Sequence, residues 1–116
     1  SHDAIFSEQN IIAKESQKTQ NVIFSKAKVD LTKLKPKDKN LVIDINTVFA
    51  ASEIEISKDT AVEVEGNAVF AEIILPDKQE INFDKKTYQN KNFDPKNPHL
   101  IVRLNTVFGQ SVVTEK

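Results

Sequence analysis

The chain has 116 residues, enough for one domain with a continuous apolar core and no covalent staples. Its 16 basic side chains nearly cancel its 17 acidic ones, so charge offers no ground for nucleic acid or an anionic membrane surface as a partner. Cysteine is absent, which excludes disulfides, thiolate metal sites and cysteine nucleophiles, and no apolar run is long enough to cross a bilayer, which predicts a soluble piece.

Methionine is also absent, and the opening Ser1-His2 reads as a vector or cleavage scar. The expected organisation is that scar at residues 1–2 and one domain over 3–116, excised from a longer protein. A membrane connection would then run only through a segment outside this sequence.

β-Branched residues in short runs, with charges alternating among them, predict strands throughout. Asp3 to Ser7 opens with a strand. Ser7 to Gln20 has weak helical periodicity, and a strand followed by a loop is preferred. From Ile23 to Leu31 the residues Ile23, Ser25, Ala27, Val29 and Leu31 share one face, with Lys26, Lys28 and Asp30 on the other. Lys33 to Asn40 is a lysine-rich stretch around Pro36 and predicts a solvated turn, with a basic binding patch as the lesser reading. Leu41 to Ile45 is a strand. Glu53, Ile54, Glu55 and Ile56 alternate, and so do Val62, Glu63, Val64 and Glu65 beyond a turn at Ser57 to Thr60. Gly66-Asn67 predicts a further turn before a strand from Val69 to Leu75.

One phrase recurs along this order: Asn or Asp, then Thr, Ala or Val, then Ile or Val, then Phe, then a small residue. Its copies are Asp3–Ser7, Asn21–Ser25, Asn46–Ala50, Asn67–Ala71 and Asn105–Gly109. The first three spacings between Phe6, Phe24, Phe49, Phe70 and Phe108 suit a stack in which each copy marks one coil. The last is lengthened by an insertion over 76–99, which holds three of the four prolines and the only tyrosine. Long insertions often carry function, so Phe83, Tyr88 and Phe93 within it are the candidate interaction residues.

Stacked copies would bring the five phenylalanines into an aromatic ladder at the strand spacing of about 4.8 Å. Two arrangements are compatible with strand parity: rings in a second apolar layer, or a bend at the small residue that resets the parity. The favoured expectation is the bend, with rings inward as core. The alternative is an exposed stripe that binds protein. A core position predicts a cost of about 3–5 kcal/mol for Phe49→Ala. The leading Asn or Asp suits a corner and could form a hydrogen-bonded ladder between coils.

Signals for chemistry are sparse. The two histidines, His2 and His99, have no partners at zinc-ligand spacing. Glu53/Glu55 and Glu63/Glu65 each share a strand face, where solvated surface is the ordinary reading. Asp84 and Asp94 match no calcium-loop spacing. Gly66 and Gly109 make no phosphate-cradling loop. The expectation is a non-enzymatic protein with no catalytic residues, no cofactor and no metal.

The Val-Phe-small phrases, above all Leu100 to Gly109 (Leu-Ile-Val-Arg-Leu-Asn-Thr-Val-Phe-Gly), resemble the bacterial cell-wall-active antibiotics response family, the LiaF-like proteins, within a wider adhesin-like β-solenoid group. The likeness extends over nearly the whole chain. The family usually has Gly after Phe, whereas here Ser7, Ser25, Ala50 and Ala71 stand in four of the five places. Membership would imply an all-β, right-handed β-solenoid stack of short strands with about five Phe-centred units and one long insertion. It would also imply a regulatory protein of the cell envelope, membrane-associated through another segment, whose partner is a sensor histidine kinase or a second copy of itself. The rival expectation is an adhesin-like surface domain that binds a glycan or cell-wall component through aromatic side chains.

Overall fold

The computed structural model describes residues 2–5, 8–12, 19–23, 26–82 and 84–116, with side chains from Lys26 onward. Phe6, Phe24 and Phe83 lie outside the described residues. The protein is all-β, built of two mixed six-stranded sheets.

The strands are β1 (His2–Ile5), β2 (Glu8–Ile12), β3 (Thr19–Ile23), β4 (Lys26–Asp30), β5 (Leu41–Val48) and β6 (Ala51–Ile56). They continue with β7 (Val62–Val69), β8 (Glu72–Ile74), β9 (Glu80–Ile81), β10 (Lys85–Gln89), β11 (Leu100–Val107) and β12 (Gln110–Glu115). The first sheet has the order β1-β3-β5-β11-β7-β10 and the second β2-β4-β6-β12-β8-β9. A strand of the first sheet passes through the repeated phrase into a strand of the second in each unit, as in β5–β6, β7–β8 and β11–β12. The strands within these units pair in parallel with those of neighbouring units.

Period-two alternation accounts for the layers. On β5 the buried residues are Ile43, Ile45 and Thr47, and on β7 they are Val62, Val64, Gly66 and Ala68. The opposite sheet contributes Ala27, Val29, Ile54, Ile56, Ile73 and Val113, and one apolar core lies between the two. Leu31, Leu34, Leu75 and Ile81 complete it from turns and short strands. Leu34 is buried within the stretch expected to be a solvated turn, although the lysines around it are exposed.

Several expected boundaries are corrected. Gly66 and Asn67 form no turn but lie inside β7. A Cβ on Gly66 would come within 2.5 Å of Ile81 Cδ1, so the missing side chain makes room for a neighbour rather than for a bend. The expected strand Val69 to Leu75 is broken at Phe70, and only Glu72–Ile74 continues it.

Two features of the order were not anticipated. The final unit, β11 with β12, is not at an end of the stack. It lies between β5/β6 and β7/β8, in full eight-residue register with both β5 and β7. The insertion over 76–99 is no excursion either. It folds back so that β9 pairs antiparallel with β8 and β10 with β7, and these strands form one edge of each sheet. Exposed Lys85 and Lys86 on the edge strand β10, and a two-residue β9, are features that discourage further strand addition there.

Candidate functional site

The repeated phrase turns the chain from one sheet into the other. Phe49, Phe70 and Phe108 all have left-handed backbones, with φ of 51°, 50° and 52°. The left-handed residue reverses strand parity. Thr47 points inward before the corner and Ser52, Ile54 and Ile56 point inward after it, whereas an uninterrupted strand would have put 49, 51 and 53 there. A left-handed conformation costs an L-residue about 1–2 kcal/mol, so something must hold the aromatic side chains there.

Stacking does so. Phe49 and Phe108 lie 4.9 Å apart between ring centroids with planes 5° apart, and Phe70 and Phe108 are 5.3 Å apart at 4°. The sequence of rings is Phe49–Phe108–Phe70, following strand order rather than chain order. Hydrogen bonds carry the ladder through the bend: Phe49 N–H donates to Val107 O, Phe108 N–H to Val69 O, and Gln110 N–H to Ala50 O.

The rings face outward. Phe49, Phe108 and Phe70 remain 50%, 48% and 61% exposed, which overturns the expected inward, core position. The bend was expected, but a side chain on a left-handed corner leaves the two sheets instead of entering between them. Beside the rings, Val48, Val107 and Val69 stand in register on the same outer surface, with Val69 itself exposed. The corner is therefore an apolar stripe of half-exposed rings and valines.

The inner side of the corner is polar and closed. Thr47 and Ser52 hydroxyls are 2.7 Å apart, those of Thr106 and Ser111 2.8 Å, and all four residues are buried. Ala68 and Ile73 occupy the same places in the β7–β8 unit. At Gly109 the small residue after Phe has a steric cause. A Cβ there would lie 2.2 Å from the Ala50 carbonyl oxygen, a backbone atom that already accepts from Gln110. The leading asparagines line the outer face next to the rings. Asn105 Nδ2 donates to Asn46 Oδ1 at 3.1 Å, and Asn67 Nδ2 reaches Asn105 Oδ1 at a longer 3.5 Å.

Tyr88 and Phe93, the described candidates in the insertion, pack on different neighbours rather than form one site. Tyr88 is half-buried against the core, and burial pushes its hydroxyl pKa up. Phe93 packs edge-on against His99, with centroids 4.6 Å apart. His99 is buried, its Nδ1 lies 2.8 Å from Asn97 O, and its backbone N–H donates to Asn40 Oδ1. These contacts fasten the connection into β11. Asn90, not noticed in the sequence, does more of the same. It is buried, donates to Thr60 O and Glu115 Oε2, and accepts from Val62 N–H.

Glu55 corrects the solvated reading of its strand face. Lys116 and Lys28 Nζ lie 3.0 and 3.1 Å from Oε1 and leave its side chain only 9% exposed. The hydrogen bond from Lys116, helped by Lys28, outweighs burial and holds the carboxyl below its usual range. Glu63 and Glu65 stay partly exposed, the latter 3.5 Å from Arg103 Nε. A shallow depression of about 300 Å³ between Glu65, Lys85, Lys86 and Arg103 is lined mainly by charged and polar side chains. Among the described residues no cluster of His, Asp and Glu could hold a metal ion, and no helix is long and apolar enough to cross a membrane.

Fold and corner together define an all-β protein whose most distinctive surface is a stacked aromatic edge. Comparison with protein-family models, curated proteins and solved structures returned no match.

Proposed function

We propose that the chain is a non-enzymatic interaction domain of the LiaF-like kind, a right-handed β-solenoid that regulates a cell-envelope stress response through protein–protein contact. The observation that carries this reading is the half-exposed Phe49–Phe108–Phe70 stack with its flanking valines, held on two hydrogen-bonded sheets. Contiguous exposed apolar surface of this kind serves interaction between macromolecules. The preferred partner is the sensor region of an envelope-stress histidine kinase, and the protein works at the membrane through a segment beyond this sequence.

Ring geometry favours a protein partner over the glycan expected of an adhesin. Sugars bind aromatic side chains by laying C–H groups on a ring face. In a parallel stack the two faces of Phe108 are covered by Phe49 and Phe70, so this ring offers solvent its edge. Tyr88 and Phe93, the other aromatic candidates, are packed against the core and against His99.

Val69→Lys tests the proposal because it puts a charge into the stripe at an exposed strand position. Capture of the kinase sensor region by the wild-type chain, lost in Val69→Lys with an unchanged melting curve, is the expected outcome. Equal capture by both, or glycan-array binding that depends on Phe108, would overturn it.

A further inference from the structure

We infer that residues 100–116 are an exchangeable strand pair, and that a second copy of this chain can supply them to the slot between the β5/β6 and β7/β8 units. The inference goes beyond the aromatic corner as a docking surface and does not depend on that proposed role.

The topology makes the slot. After β6 the chain does not proceed to the adjacent level. The link 57–61 crosses from the second sheet to the first and advances two strand spacings, about 10 Å, along the strand order to β7, and the skipped level is filled by β11 and β12. β11 is in register along its whole length with both neighbours, Leu100 to Val107 against Leu41 to Val48 and against Val62 to Val69. β12 pairs along its whole length with β6 and over Gln110 to Val112 with β8. The slot therefore recognises its occupant through two ladders in each sheet, and through the Asn and Phe positions of the phrase.

Nothing in that recognition requires the occupant to belong to the same chain. It is tethered by residues 90–99, most of which are exposed. An element that makes its contacts beyond a largely exposed tether can be exchanged between copies, and a reciprocal exchange would conserve every ladder hydrogen bond. The side-chain contact from Asn90 to Glu115 would then join two copies.

The tether sets the balance. Gln89 and Ile101 both lie level with Glu63, on opposite sides of β7, so the connection must cover about 10 Å and pass the residues leading into β7. Asn90 N–H bonds Val62 O and Leu100 is level with Val62, so after deletion of residues 91–98 only His99 would join these two points, about 7 Å fully stretched against the roughly 10 Å required. Size-exclusion chromatography with light scattering should show this variant displaced at least about tenfold toward dimer relative to the full chain. A folded monomer would overturn the inference.

Where the deletion variant does not fold, the natural-length chain gives the answer. Val42→Cys and Ile101→Cys copies, facing positions on β5 and β11, are unfolded together, refolded at high concentration and joined with a short thiol-reactive linker. A covalent dimer holding one of each is expected. Its absence, while a chain carrying both substitutions is linked internally, would overturn the inference. The readout here is covalent joining of two copies, whereas that of the corner is capture of the kinase sensor region, so the two failures are separately visible.

Discussion

Replacing Phe108, the ring between Phe49 and Phe70, tests whether stacking compensates for corner strain. Complete burial of a Phe side chain contributes about 1.5–3 kcal/mol, and a ring left 48% exposed keeps roughly half of that. Its two stacked neighbours add about 0.5–1.5 kcal/mol each. Phe108→Ala should therefore cost about 2–4 kcal/mol, somewhat less than removal of a fully buried ring. Ala retains the unfavourable left-handed backbone, with φ of 52°, whereas Gly adopts it without steric cost. Phe108→Gly should accordingly be less destabilised than Phe108→Ala, by about 1 kcal/mol. Urea unfolding followed by far-ultraviolet circular dichroism measures both, since the midpoint falls with stability at constant slope. An Ala variant within about 0.5 kcal/mol of wild type would show that the stack contributes little to stability. A Gly variant less stable than Ala would refute the strain.

Gly109→Ala should destabilise by about 1–3 kcal/mol in the same assay, because its Cβ would press on the backbone oxygen of Ala50, which cannot rotate away. Asn90→Ala should cost about 2–4 kcal/mol in thermal unfolding, as it strands the Val62 N–H and the Thr60 carbonyl in a buried place. Glu55 has a lowered folded pKa, so its contribution is present above the unfolded carboxylate value of about 4.3 and is lost as pH falls through the folded value. Glu55→Gln should thus flatten the loss of stability between neutral pH and pH below about 4, measured as melting temperature against pH. An unchanged acid limb would place the dependence in other carboxylates.

Much of the architecture could be read from short-range pattern. The β-branched residues of Leu41 to Ile45 marked a strand, and alternation at Val62 to Glu65 marked a strand with its two faces, since a residue's side in a strand depends only on its parity. The need for a small residue after Phe also followed from local crowding, and Gly109 now gives it a named obstacle in Ala50. The interaction candidates were less legible. Tyr88 and Phe93 drew notice for their composition, yet the chain around them pairs with β7 and packs on His99. Glu55 looked solvated because Lys116, which covers it, is remote in sequence.

What the sequence determined by itself was the all-β class, the recurrence of the Phe corner and the turn at it, each set by residues within a few positions of one another. Tertiary structure alone decided which way the rings face, because a left-handed corner and straight-strand parity make opposite assignments and only the backbone angle chooses between them. It alone also decided the order of the units. Their phrases are so similar that β11 pairs equally well by pattern with β5 or β7, and local preference cannot rank neighbours that present the same register. The long-range connection through residues 76–99 resolves that choice, by reversing along the edge and returning the last unit to the skipped level between the third and fourth.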